Sequence, residues 1–123
     1  MLTTELKEIV NKISKNKNVQ AVYLFGSYAR GEESPNSDVD LCIIGDLSKE
    51  EKTKIFFLGN EKTDISFFSG LPIIIQIKIF SEGKLLFVKN EDEIQKIAWQ
   101  TLHNYREILP LIERRVNEMF HYA

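Results

Sequence analysis

Apolar residues fall in a legible rhythm along the chain. Leu6, Ile9, Val10 and Ile13 recur at three- and four-residue spacings, which predicts a helix over residues 4–15 with Thr3 or Thr4 as N-cap. Residues 19–25 form a β-rich apolar run closed by Gly26, and residues 39–44 form a second ending at Gly45. The first reads as a strand with buried character on both faces, and the second as another apolar strand. Between them, residues 29–37 contain Gly31, Pro35 and Asn36 and read as a loop.

Ser48-Lys49-Glu50-Glu51 has the form of a capping box and predicts a helix start. Residues 55–58 either finish that helix or form a strand that turns at Gly59-Asn60. A strand is expected over residues 64–68, with Ile65 and Phe67 on one face. Residues 71–80 are β-branched, but Pro72 suits a first helical turn, and a helix is the reading taken. A short strand over residues 84–89 follows Gly83. Asn90 then caps a long helix of about residues 90–120, with Glu91, Asp92 and Glu93 complementing its amino terminus and Glu93 at the box position. Its stripe runs Ile94, Ile97, Ala98, Leu102, Tyr105, Ile108, Leu109, Ile112, Val116, Met119 and Phe120, and Pro110 should kink it. These elements predict an α+β (α/β) fold, a small mixed sheet with flanking helices, as one domain over residues 1–123.

Composition narrows the function classes. Sixteen basic and eighteen acidic side chains give a net charge of −2, unlike the basic excess of a general nucleic-acid binder, so no direct nucleic-acid binding is expected. Residues 1–5 show no signal-peptide pattern, and the densest apolar stretch is too short to span a bilayer. The single Cys42 lies in an apolar run and reads as a buried structural thiol. A cytoplasmic protein fits these features.

The chemistry concentrates in two places. Asp38 and Asp40, two apart on a strand, project to one face while Val39 points away. Adjacent carboxylates repel unless a proton or a cation sits between them, and Mg²⁺ suits such oxygen pairs because it fills its octahedron with water and phosphate. Alone, an Asp-x-Asp pair is an ordinary solvated strand end. The second place is Gly26-Ser27, opening a short helical turn through Tyr28-Ala29-Arg30. Glycine lets phosphate approach the backbone, free amides at a helix start bind anions, Ser27 adds a hydroxyl, and Arg30 or Ser37 can reach further oxygens. Alone, Gly-Ser is a plain turn. If the first two strands pair antiparallel, the phosphate cradle lies beside the carboxylate pair.

Gly26-Ser27-Tyr28-Ala29-Arg30-Gly31 and Ser37-Asp38-Val39-Asp40-Leu41, with ten residues between Ser27 and Asp38, resemble the polymerase β-like nucleotidyltransferases, above all their minimal (MNT) branch. The resemblance implies a third carboxylate on a neighbouring strand, and Asp64 is the matching position; it begins its strand as Asp38 and Asp40 begin theirs. It implies transfer of a nucleotide from ATP, with Mg²⁺ on Asp38 and Asp40 and with Asp64 sharing a second metal or accepting the proton of the attacking hydroxyl. MNT proteins of this length resemble the antitoxin half of HEPN–MNT modules, which places AMP on a tyrosine of a helical HEPN ribonuclease toxin. Two alternatives stand beside that expectation: an antitoxin that masks its toxin by contact alone, and a transferase for a small molecule or an RNA end. The long final stripe suggests homo- or hetero-oligomeric contact. His103 and His121 have no ligand partners at metal spacing, and Trp99 and Tyr105 read as helix packing.

Overall fold

The structure, a computed structural model, describes residues 4–26, 31 and 38–120. Thr3, residues 27–30 and residues 32–37 lie outside the described residues, and with them one of the two candidate N-caps and most of the loop between the first two strands. The elements run α1 (Thr4–Ser14), β1 (Val19–Phe25), β2 (Val39–Gly45), α2 (Lys49–Phe56), β3 (Thr63–Phe67), α3 (Ile73–Glu82), β4 (Lys84–Val88) and α4 (Glu91–Phe120), with a 3-10 turn at Phe68–Gly70 before α3.

The strands form one mixed sheet in the order β3-β2-β1-β4. β1 pairs antiparallel with both β2 and β4, and β2 pairs parallel with β3. Strand alternation divides the core into two layers. Val22, Leu24, Leu41, Ile43 and Ile65 face α1 and α2, meeting Leu6, Ile9, Val10, Ile13 and Ile55. Ala21, Tyr23, Cys42 and Ile44 face the other way and meet Phe68, Ile79 of α3 and Ile94 of α4. This double cover is why β1 and β2 carry no polar alternation. Ile13, Leu41 and Ile43 are essentially inaccessible, and burying each such side chain contributes about 2 kcal/mol. Phe80 of α3 sits edge-on to both Tyr23 and Phe68, with ring centroids 5.6 and 5.3 Å apart.

Polar side chains fix the joints. Ser48 Oγ accepts from the Glu51 amide at 3.1 Å, and Glu51 Oε1 accepts from the Ser48 amide at 3.1 Å, the reciprocal box expected there. Glu51 also accepts from Asn18 Nδ2 at 3.0 Å, tying α2 to the turn before β1. The Ser48 amide, with help from Asn16 and Asn18, holds the Glu51 carboxyl down at about 2. Asn90 Oδ1 accepts from the Asp92 and Glu93 amides and caps α4, while the Glu93 carboxylate pairs with Lys96 at 3.6 Å.

Some expectations shift. Residues 55 and 56 finish α2 and residues 57 and 58 turn, because the Phe57 and Leu58 amides still donate to Thr53 and Ile55. β3 starts one residue early, at Thr63, and Phe68 leaves the strand to enter the 3-10 turn. Pro72 stands at the N-cap of α3, where its missing donor is harmless. α4 continues through Pro110, leaving the Arg106 carbonyl without its usual partner. Among its described residues, α4 has fully buried side chains only in its first half, while Tyr105, Leu109 and Ile112 are half-buried. Ile94 and Thr101 are buried, whereas Trp99 is 69% exposed on the rim of a groove with Ile77 and Phe80, so its packing is partial. Among the described residues no helix is long and apolar enough to cross a membrane.

The depressed Glu51 carboxyl yields a pH dependence with a definite sign. Its stabilising contribution is complete above its unfolded value of 4.5 and is lost as the pH falls towards 2. Thermal melts of the protein and of Glu51→Ala should differ at neutral pH and converge across that window.

Candidate active site

Gly26, Asp40 and Asp64 lie at one end of the sheet, with Asp38 just before β2. β1 arrives there at its carboxyl end, while β2 and β3 begin there. The register is explicit: Phe25 stands opposite Asp40 across the antiparallel pair, and Asp40 stands opposite Asp64 across the parallel pair. Asp40 precedes Cys42 by two residues and Asp64 precedes Ser66 by two, so both carboxylates lie on the α3–α4 side of the sheet. Neighbouring strands run about 4.8 Å apart, close enough for two carboxylates to reach one cation. Val39 packs into the opposite layer, and Asp38, immediately before β2, is exposed.

Gly26 is required by its surroundings. Its φ of +76° lies in the left-handed region, and a Cβ there would run into Asp40 Oδ2, with Asp40 Cγ only 3.2 Å away. The carboxylate of Asp40 therefore occupies the space that a side chain at residue 26 would fill. Asp40 is half-buried, while Asp64 is exposed. The turn leading into β3 ties these strand starts together: the Val39 amide donates to the Lys62 carbonyl at 2.7 Å, and Asn60 Oδ1 accepts from the Lys62 amide and the Thr63 hydroxyl, both at 2.9 Å. Gly59-Asn60 is legible in the sequence as a turn, but its link to Val39 is not. An Asn three residues before the strand is the signal that could have exposed it.

Of the residues expected in the site, the structure brings Gly26, Asp40 and Asp64 together, with Asp38 two residues before Asp40. Ser27, Arg30 and Ser37, expected at the phosphates, lie outside the described residues, as does the expected helical turn through Arg30. Gly31 has a φ of +71°, a conformation suited to glycine. Among the described residues no three His, Cys, Asp or Glu side chains form a ready-made metal cage. Two register-matched carboxylates beside an open glycine backbone fit an ion that takes one or two carboxylates and draws its remaining ligands from water and phosphate. Burial pushes the Cys42 thiol up to about 12, which leaves it inert as a nucleophile. A cleft of about 560 Å³ lined by Gln20, Gly45, Asp46, Lys52, Ser69 and Glu93 lies towards the other end of β2 and includes none of the three carboxylates.

The family model for polymerase β-type nucleotidyltransferases matches residues 7–92, which span every element from α1 to the first turn of α4. The chain is a polymerase β-type nucleotidyltransferase. MJ1547 of Methanocaldococcus jannaschii, named as a candidate protein adenylyltransferase, is 31% identical over 102 residues, covering 81% of this chain and 77% of that protein. MJ1215 of the same organism, named likewise, is 41% identical over a 44-residue segment covering 32% of this chain and 51% of that protein. Among solved structures, the nucleotidyltransferase resembles a chain of a toxin–antitoxin complex with AMP-PNP, at a TM-score of 0.66, 21% identity, and coverage of 89% of this chain and 98% of that one. It also resembles a chain of the complex between tri-AMPylated Shewanella oneidensis HEPN toxin and MNT antitoxin, at a TM-score of 0.59, 19% identity, and coverage of 89% and 95%. At these identities the structural likeness establishes the fold.

The contact between Gly26 and Asp40 can be tested directly. Gly26→Ala should cost about 1–2 kcal/mol of stability from backbone strain. By displacing the Asp40 carboxylate it should also weaken nucleotide binding in the presence of Mg²⁺ by at least about tenfold. Denaturant unfolding and calorimetric titration measure the two effects separately.

Proposed function

We propose that this nucleotidyltransferase moves AMP from ATP onto a tyrosine of a HEPN-type toxin and thereby acts as its antitoxin in the cytoplasm. The observation that carries the reading is the register of Asp40 with Asp64 beside the glycine that ends β1. The naming of MJ1547 as a candidate protein adenylyltransferase and the AMPylated toxin in the Shewanella complex support a protein acceptor.

In this reading Gly26 leaves the backbone open to the nucleotide phosphates, and Ser27, Arg30 and Ser37 supply further donors to them. Asp38, Asp40 and Asp64 would be the residues to hold Mg²⁺, which when bound would neutralise charge developing on the phosphates. The tyrosine oxygen attacks the α-phosphorus, the new P–O bond forms as the bond to the β-phosphate breaks, and pyrophosphate departs. Asp64, the most open of the strand carboxylates, either shares a second metal or accepts the tyrosine proton. Positioning and charge account for the rate, with no covalent enzyme intermediate.

The acceptor surface falls to α4. At about 1.5 Å per residue its 30 residues extend some 45 Å. Ile108, Leu111, Val116 and Met119 remain exposed on its distal half. An apolar helical face of this kind suits a groove on a helical partner.

Incubation of the protein with labelled ATP, Mg²⁺ and a HEPN partner should label the partner. Asp38→Asn combined with Asp40→Asn should reduce the label by at least about a hundredfold. An unlabelled partner with the wild type, or undiminished label with the double variant, sinks the reading. Toxin neutralisation that survives the double variant favours masking by contact, and labelling of a small molecule or an RNA end without a protein partner favours the third class. Leu111→Glu with Met119→Glu should abolish capture of the HEPN partner in a pull-down while leaving ATP binding intact; retained capture removes α4 as the acceptor surface.

A further inference from the structure

We infer that Asn60 is a positioning residue for the carboxylate site, an assignment that rests on the metal–nucleotide reading above. Its side-chain oxygen accepts from the Lys62 amide and from the Thr63 hydroxyl, and its carbonyl accepts from the Thr63 amide at 3.1 Å. These bonds fold residues 60–63 into a fixed turn and aim the Lys62 carbonyl at β2. That carbonyl accepts the Val39 amide at 2.7 Å, the first rung between β2 and β3. Val39 lies between Asp38 and Asp40, and Thr63 immediately precedes Asp64. One oxygen on Asn60 thus sets the start of both acidic strands.

The site needs such a clamp. β3 is a five-residue edge strand bonded to β2 alone, and strand ends are where fraying begins. Asp64 is exposed, so packing does not hold it, and its charge repels that of Asp40 opposite. The nearest apolar anchor is Ile65, buried one residue further on. The turn itself is closed tightly over this anchor: a Cβ on Gly59 would come within 3.0 Å of Ile65 Cδ1. Because the Asn60 bonds are exposed, they contribute little to global stability, and their consequence is local to the three carboxylates.

The test compares the full-length wild type, Asn60→Ala and Asn60→Asp by three measurements: amide exchange at Val39, binding of Mn²⁺–ATP, and melting temperature. Asn60→Ala should lose Val39 protection and bind Mn²⁺–ATP about tenfold more weakly, with the melting temperature nearly unchanged. Asn60→Asp, whose carboxylate accepts the same two hydrogen bonds, should restore both. Unchanged protection and binding in Asn60→Ala overturn the assignment. So does a weakened variant whose protection falls across the whole sheet with its melting temperature and is not restored by Asp, since that describes a turn with a purely structural role. A wild type that binds Mn²⁺–ATP with the Asn60 dependence described, yet labels no partner protein, overturns AMP transfer and leaves the positioning role standing.

Discussion

The carboxylate of Asp40 lies against the backbone of Gly26, and the arrangement of the sheet around the site follows from that contact. A residue with a side chain at position 26 would meet Asp40 Oδ2, and the φ of +76° would strain it even in open space. Glycine ends β1 here because the chain must turn in the left-handed region while leaving room for an acidic group on the adjacent strand. The contact requires the Phe25–Asp40 register. Four consecutive buried residues, Leu41 to Ile44, hold that register from within β2. Slipping the strand by one position would turn Leu41 and Ile43 out of the α1–α2 layer and send Asp40 into it. Core packing and placement of the acid are one constraint.

The same alternation explains why the site sits at an end of the sheet rather than on a face. Both faces are occupied, by α1 and α2 on one side and by α3 and α4 on the other, so carboxylates in the middle of β2 would be buried without water. At the strand starts they remain on the α3–α4 side but reach solvent, Asp40 partly and Asp64 more fully. Like charges in register disfavour the empty arrangement and favour a cation. In the proposed reading such a half-open site would supply the negative charge and leave room for phosphates and water to complete a cation's shell.

Much of this was legible in the sequence, for reasons that differ by element. The strands before Gly26 and after Asp38 are readable because burial on both faces leaves unbroken apolar runs. α2 is readable at its start because Ser48 and Glu51 satisfy each other's amides, a local device that owes nothing to the rest of the fold. Its end was not readable, since residues 55–58 are too few to distinguish two periodicities. Asp64 could be matched through the family resemblance, with which its place at the head of a β pattern agrees, but its exact pairing with Asp40 is a long-range register that no local signal carries. Asn60 passed as an ordinary turn residue because its consequence runs through the Lys62 carbonyl to a strand some twenty positions earlier. The stripe on α4 predicts an apolar face, but periodicity says nothing about how far along the helix the fold extends to cover it, and Ile108, Val116 and Met119 are exposed.

The uneven cover of α4 has a physical meaning for how the reaction is divided. Up to about residue 102 the helix is fastened by Ile94, Ile97 and Leu102 to the sheet and α3, which makes it part of the layer that flanks the carboxylates. Beyond that it has no further sheet beneath it, yet it keeps apolar residues at helical spacing and runs on through Pro110. A helix that had merely outgrown its domain would be expected to turn polar all round, as solvent-exposed helices do. Retaining Ile108, Leu111, Val116 and Met119 against that tendency is more economical if a second molecule covers them. In the proposed reading, a helix anchored beside the carboxylates would set where that molecule sits relative to Asp64. In that reading the strand starts would build the donor half of the chemistry, and the helix that leaves them would set its encounter with an acceptor.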